Sequence, residues 1–129
     1  MARKKLEPVD EATAREIGGL LRHLRRAAGY RAARDAASRP GCPAAQQTIY
    51  AYERGGLVPS LKQFMELVEF YAFQAREDLP AAERRALRYQ AVAAMVRALA
   101  LPAYHVTGAF DLIARLQPEA PDRTGNRTT

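Results

Sequence analysis

Residues 44–60 read AAQQTIYAYERGGLVPS, a stretch that predicts one short amphipathic helix ending at a pair of glycines. Ile49 and Tyr52 are three positions apart, so both side chains point to one side, toward a core. Gly55 suits the left-handed residue that follows a helix end, and a proline four residues later fits the same boundary. The stretch therefore predicts a helix over residues 44–54.

Two glutamines, Gln46 and Gln47, lie side by side on the exposed first turn of this helix. A glutamine amide carries a donor and an acceptor together, which matches the N7/N6 edge of adenine in the major groove. Exposed glutamines are more often ordinary solvated surface, so the pair indicates base reading only in combination with its surroundings.

The composition excludes several classes of protein. A chain of 129 residues suffices for one compact domain, or for a small domain with an accessory element. No apolar run approaches about eighteen residues, so we expect no membrane span, and the charged start MARKKLEPVDE predicts no secretory signal. The single cysteine, Cys42, cannot form an internal disulfide, which fits the cytoplasm.

Neither a metal site nor an enzyme is expected. Cys42, His23 and His105 do not supply the set of spaced ligands that zinc requires. Neither histidine has a nucleophile or a matched carboxylate near it in sequence, and GGLVPS lacks the lysine of a phosphate-binding loop. We therefore expect no catalytic residue and no cofactor. Cys42 is interpreted as a half-buried turn residue, with an oxidation switch as the alternative.

Positive charge is concentrated in the first half of the chain. The net charge is +6, and residues 1–60 hold 11 Lys and Arg against 6 Asp and Glu. Residues 61–129 hold 9 against 8. The excess therefore accompanies the glutamine-bearing helix, which suits a polyphosphate partner such as DNA. The alternative is solubility in an arginine-rich protein, since 17 of the 20 basic residues are Arg.

Four helices are predicted in the first part of the chain, after a flexible basic arm over residues 1–9. Arg3, Lys4 and Lys5 in this arm would follow DNA phosphates, although an ordinary disordered terminus is the alternative. The first helix begins at Asp10 or Thr13 and reaches Ala28. The others are expected over residues 31–38, over 44–54, and from Ser60, whose spacing to Gln63 gives a capping box.

Residues 17–71 resemble the Cro/phage-repressor type of helix-turn-helix, also called the XRE family. The matching pieces are LRRAAGY at the end of the first helix, QQTIYAYERG, and the following PSLKQFMELVEFY. They occur in the right order and at nearly the right spacing. The resemblance implies an all-α fold: a five-helix-type Cro/repressor domain over residues 10–75, followed by a C-terminal two-helix element over 78–117 and a disordered tail over 118–129.

The resemblance also implies a role for the helix over residues 44–54, which would lie in the major groove as the recognition helix. Gln46 and Gln47 occupy positions that read bases in this family. Ala51 occupies a third base-facing position, where its methyl group would meet a thymine methyl. Tyr50 would reach a base or a phosphate, or else pack on the surface. Thr48 would contact a phosphate or pack beside the helix. Arg25 and Glu53 match a buried structural salt bridge of this family.

Three departures from the family pattern concern phosphate binding. The position that often carries a polar residue at the start of the second helix is Ala32 here, and Arg31 before it is expected to replace the contact. The loop after the recognition helix offers only Arg54 and the backbone amides of Gly55 and Gly56. The connection between the second and third helices is also about three residues longer than usual. Fewer phosphate contacts would lower affinity and flatten its salt dependence.

The second half predicts two further helices. Asp78 is expected to cap a helix over residues 80–101, which is apolar over a wide arc, and Pro102 separates it from a last helix over 103–116. Two such helices are too small for a sensor domain but sufficient for a dimerisation hairpin. The alternative is that they complete a monomeric core.

These features together predict a sequence-specific DNA-binding transcriptional regulator in the cytoplasm. We expect a homodimeric repressor that reads a two-fold operator in double-stranded DNA, with two recognition helices about 34–36 Å apart. The alternative is a protein-binding helix-turn-helix module, such as an antitoxin that covers a toxin with its C-terminal helices.

Overall fold

The computed structural model describes residues 8–101, 104 and 109–117. These residues form six α-helices and no strand, which confirms the all-α prediction. The helices are α1 Pro8–Ala27, α2 Ala33–Ala37, α3 Gln46–Glu53, α4 Leu61–Phe73, α5 Ala81–Leu99 and α6 Ala109–Leu116.

Helix α1 begins earlier than the sequence indicated. It begins at Pro8, whereas Asp10 or Thr13 was the predicted start. Proline is tolerated in a first helical turn, where its missing N–H has no partner to lose. Thr13 is buried inside the helix and does not cap it. The predicted arm thus loses its last two residues to α1, and Arg3, Lys4 and Lys5 lie outside the described residues.

Helix α2 is a single short turn followed by a long connection to α3. It covers five residues, fewer than predicted, and Asp35 Oδ2 accepts a hydrogen bond from the Ala32 backbone N–H at 3.1 Å. The connection is held against α4, because Gln63 Nε2 donates to the carbonyl oxygen of Pro43 at 3.2 Å. Cys42 is half-buried there, its Sγ donating to the Ala44 carbonyl at 3.3 Å. Burial raises the pKa of its thiol, which disfavours the reactive thiolate.

Helix α4 begins as the sequence predicted, whereas the start of α5 differs. The Ser60 side chain accepts a hydrogen bond from the Gln63 N–H at 3.1 Å and caps α4. Helix α5 has Pro80 at its N-cap position. The prediction that Asp78 caps α5 is wrong, because its carboxylate instead accepts hydrogen bonds from Arg76 at 3.2 and 3.3 Å.

The C-terminal helices share a core with the first four. Helix α5 packs on α1 and α4, and α6 packs on α4 and α5. Tyr104, between them, packs on Phe64 with ring centroids 5.5 Å apart and donates a hydrogen bond to the Pro59 carbonyl at 3.0 Å. One continuous cluster therefore contains buried side chains of the first four helices together with Leu87, Met95 and Leu116. The inner face of α5 is accordingly covered within the monomer.

None of the helices in the described part of the chain is long and apolar enough to span a membrane.

Candidate nucleic-acid interface

Helix α3 presents its first turn to solvent. Ile49 and Tyr52 are buried in the core, whereas Gln46, Gln47 and Tyr50 are exposed. No side chain caps the N-terminus of α3, where Ala45 is the N-cap residue. The backbone N–H groups of the first helical turn and the positive end of the helix dipole therefore point outward, an arrangement that favours anions.

A buried ion pair fixes α3 to α1 from behind. Arg25 Nε donates to Glu53 Oε2 at 2.7 Å, and Arg25 Nη2 donates to Glu53 Oε1 at 2.8 Å. The third nitrogen, Nη1, donates to the Tyr30 carbonyl at 2.9 Å, so the guanidinium is satisfied on three sides. Both side chains are almost fully buried, and the hydrogen bonds that Arg25 donates to Glu53 raise the pKa of Arg25. Such bidentate geometry fixes orientation as well as distance.

A glycine lets the two helices approach closely at the same point. Gly18 is buried on α1, and a Cβ atom there would lie 2.3 Å from the Tyr52 carbonyl oxygen and 2.8 Å from that of Glu53. Only a residue without a side chain fits between these backbones. The C-terminal end of α3 is therefore set by backbone contact with α1 as well as by the ion pair.

Helix α3 ends in a glycine cap that uses both loop amides. The Gly55 N–H donates to the Tyr52 carbonyl at 3.1 Å, and the Gly56 N–H donates to the Ala51 carbonyl at 2.9 Å. These two bonds form a Schellman motif, and Gly55 has the left-handed φ of 79° that the motif requires. Because both N–H groups already have acceptors, the expectation that Gly55 and Gly56 contact phosphate is not supported by this geometry.

A cleft of about 550 Å³ lies beside the exposed first turn of α3. Gln46 and Tyr50 form one wall, and the other walls come from α1 and the start of α2. Its basic residues are Arg22, Arg25, Arg26 and Arg34. Glu53 is the acidic residue in this lining, and it is already engaged by Arg25. The cleft therefore carries an excess of positive charge directly next to a predicted base-reading residue.

The arginines of the cleft differ in their ion pairs. Arg22 lies 3.8 Å from Glu53 and is half-exposed, so its charge is partly compensated. Within residues 8–101, 104 and 109–117, Arg26 and Arg34 form no ion pair. Neither residue was among the phosphate-binding residues predicted from the sequence. For Arg26 the available signal was the RRAAGY end of α1, whereas Arg34 comes from α2 and joins the cleft only through packing.

The structure separates the other predicted phosphate-binding residues. Arg54 stacks over the Tyr50 ring, 4.9 Å from its centroid, and stays on the exposed face of α3. Thr48 and Ala51 are half-buried beside it. Arg31 lies in a different depression, together with Arg76 and Asp78. The structure thus gathers Gln46, Tyr50 and Arg54 on one surface with the arginine cleft and leaves Arg31 apart from them.

Comparison with known proteins agrees with this geometry. Residues 16–82, about half of the chain, match the family model described as "Helix-turn-helix domain". The chain belongs to the helix-turn-helix domain family. This match is consistent with the resemblance to the Cro/phage-repressor type. Curated proteins and solved structures give no match to the chain.

Membership in the helix-turn-helix family indicates the general role of the site. The matched residues contain the second part of α1 and all of α2, α3 and α4, and therefore the glutamine pair, the Arg25–Glu53 ion pair and the arginine cleft. Such domains suggest a DNA-binding regulator, in which a helix placed like α3 contacts the major groove. The two helices that follow lie almost wholly outside the matched residues.

Proposed function

We propose that this protein is a sequence-specific DNA-binding transcriptional regulator of the cytoplasm, acting as a homodimeric repressor at a two-fold operator. The observation that carries the proposal is the exposed pair Gln46 and Gln47 on a helix held rigidly from behind by Arg25 and Glu53. A base-reading side chain needs such a fixed support, because a shift of about 1 Å removes its hydrogen bonds to the base edge.

Contacts to DNA divide into reading and positioning. Gln46 and Gln47 read base edges, with Tyr50 and Ala51 beside them on the same helix. Arg54 and Thr48 contact phosphates at the edge of the groove, and the arm with Arg3, Lys4 and Lys5 adds sequence-independent charge. The cleft arginines Arg26 and Arg34 join this positioning set.

Base reading is tested by selecting sites from a random duplex pool with the wild-type chain, Gln46→Ala and Gln47→Ala. We expect a two-fold symmetric motif that loses preference at one position per half-site in each variant, equal to about 1–3 kcal/mol of discrimination. Gln117→Ala removes an exposed glutamine that follows α6 and serves as the matched control. An unchanged motif in both variants would exclude these glutamines as base readers.

The phosphate role of the cleft is tested by the salt dependence of affinity. We expect Arg26→Ala and Arg34→Ala each to reduce the slope of log K against log salt by about 1, without changing the selected motif. Arg115→Ala, which removes the same charge from α6, is the control and should leave the slope unchanged. Equal slopes in all four proteins would show that the cleft does not face the DNA backbone.

A protein-binding helix-turn-helix module, such as an antitoxin, is the second candidate. The observation in its favour is that the Gly55 and Gly56 amides are used inside the helix cap, so the loop after α3 has fewer groups for phosphate. This candidate predicts no salt-dependent DNA binding even at low ionic strength, and a stoichiometric partner on purification. Enrichment of a symmetric motif by the wild-type chain would count against it.

A further inference from the structure

Helix α5 has two apolar faces, of which one is buried and the other is not. Leu87, Ala91 and Met95 lie on the inner face and belong to the core. A second stripe on α5, which we call the outer face, is exposed and apolar or aromatic and continues onto the C-cap residue Ala100; it consists of Ala82, Ala86, Tyr89, Ala93, Val96 and Ala100. Charged residues border this stripe, among them Glu83 and Arg97. A continuous apolar stripe separate from the core face indicates a surface that is covered in the working protein.

The outer face has the spacing of a helix-pairing seam. Its six positions follow one another at intervals of four, three, four, three and four residues, which is the 3.5-residue repeat of paired helices. Tyr89 is 60% exposed and Val96 is 55% exposed, so the two bulky members project into solvent. The other exposed large hydrophobics of the described chain, Tyr50 and Phe73, each have an arginine stacked on the ring, although Tyr50 remains 57% exposed.

We propose that the outer face of α5 is the interface between two copies of this chain, with the two α5 helices antiparallel. A two-fold interface must be complementary to itself. In the antiparallel arrangement, Tyr89 lies opposite Ala93 of the partner subunit, and Val96 lies opposite Ala86 of the partner subunit. Each bulky side chain thus meets a small one, and alanines meet at both ends. A parallel pair would stack Tyr89 on Tyr89 of the partner subunit.

The charges beside the seam agree with the antiparallel arrangement. Glu83 and Arg97 lie on the same edge of the outer face, at opposite ends of α5. Reversing one helix against its copy brings Glu83 next to Arg97 of the partner subunit, and the two-fold axis repeats this pair. Within the chain, exposed Arg97 donates through Nε to half-buried Glu16 at 2.5 Å, and its terminal nitrogens have no hydrogen-bond partner among the residues described.

Gln90 lies between these two charges, next to the two-fold axis. Its Oε1 is buried and has no hydrogen-bond partner in the described part of the chain. Rotation of this side chain toward the seam would let each Gln90 amide bind its counterpart on the partner subunit. An unpaired buried amide is costly, so the pairing would favour the dimer.

This inference rests on the homodimer in the proposed function and deepens it by assigning the interface, but it does not depend on DNA binding. The outer face differs from the inner face, whose apolar stripe is used for the core. A single seam along one helix is about 28 Å long, which places the interface at the small end of specific contacts and predicts a reversible dimer. The test therefore measures self-association of the full chain without DNA, so that its failure and the failure of DNA binding are separate results.

The experiment is sedimentation equilibrium over a concentration series. We expect a monomer–dimer equilibrium for the wild type and an association weakened by at least about tenfold in Tyr89→Glu, because each dimer then buries two charges in the seam. Glu83→Arg alone should weaken association by setting arginine against Arg97 of the partner subunit. Adding Arg97→Glu should restore it. Arg85→Glu changes charge on the other edge and is the matched control.

The relative direction of the two α5 helices in the dimer is tested by disulfide cross-linking in a Cys42→Ser background. Copies carrying Ala86→Cys should form disulfides with copies carrying Val96→Cys and not with themselves. Self-linked Ala86→Cys would overturn the antiparallel arrangement.

A wild-type chain that stays monomeric throughout, or a Tyr89→Glu variant that dimerises as well as wild type, would overturn the interface itself. In the monomeric case a truncation after residue 117 shows whether residues 118–129 occupy the outer face. Thermal unfolding of each variant confirms that it is folded.

Discussion

Glu53→Leu and Arg25→Met are each expected to lower the free energy of unfolding by about 3–5 kcal/mol, because each leaves one charge buried without its partner. The side chains of Arg25 and Glu53 are 6% and 4% exposed, so water does not replace the lost contact. Among the described residues, Arg25 would keep the Tyr30 carbonyl as its one acceptor, and Glu53 would keep exposed Arg22 at 3.8 Å as its one cationic partner. Urea unfolding monitored by circular dichroism measures both values.

The double variant Arg25→Met/Glu53→Leu distinguishes the buried charge from the lost contact. Because no unpaired charge remains, it should be more stable than the sum of the single changes predicts, and it should approach wild type. Breaking the more exposed Arg97–Glu16 pair by Glu16→Gln is the control and should cost no more than about 1 kcal/mol. The proposal that the ion pair holds α3 in place would fail in either of two cases. In the first, the losses of stability of the two single variants add up to that of the double variant; in the second, each single loss is as small as that of Glu16→Gln.

Gly18→Ala is expected to destabilise the protein by about 3 kcal/mol, near the upper end of the cost of over-packing. The added Cβ would lie 2.3 Å and 2.8 Å from two carbonyl oxygens of α3, and these backbone atoms cannot move without displacing the helix. Because α3 carries the glutamine pair, the variant should also lose DNA discrimination at temperatures where it is still folded. Urea unfolding and site selection on the same preparation measure the two effects.

The neighbouring Gly19→Ala is the matched control. A Cβ at Gly19 meets nothing within 4 Å, and the residue is exposed on the same helix. Replacing an exposed helical glycine by alanine should raise stability by about 0.4–1 kcal/mol, since alanine has less backbone freedom to lose on folding. A loss of stability in Gly18→Ala together with a gain in Gly19→Ala would establish close contact between α1 and α3. A neutral Gly18→Ala would show that the helices lie further apart.

Much of the fold could be predicted from local sequence. The periodicity of Ile17, Leu21 and Leu24 identifies the buried side of α1, and Ser60 with Gln63 identifies the start of α4. The errors lie at helix ends without a strong local signal. Thr13 and Asp78 both had the chemistry of capping residues, yet one is buried within α1 and the other pairs with Arg76.

The candidate site was predicted in part, for a similar reason. Gln46, Gln47 and Tyr50 lie next to one another on one short helix, so their exposure follows from its apolar pattern. Arg26 and Arg34 come from two other helices, and their position beside Gln46 depends on how α1, α2 and α3 pack. The use of the Gly55 and Gly56 N–H groups inside the α3 cap depends on backbone hydrogen bonds that only the structure shows.

By itself, the sequence determined the all-α class, the order of the helices and the exposed glutamine pair, because helix periodicity and caps depend on residues within a few positions. The tertiary structure decided which apolar face of α5 is buried and which is exposed. It also decided that α3 lies against α1 at Gly18, and that the arginines of α1 and α2 meet in one cleft beside α3. These outcomes depend on packing between residues far apart in the chain, which local patterns do not specify.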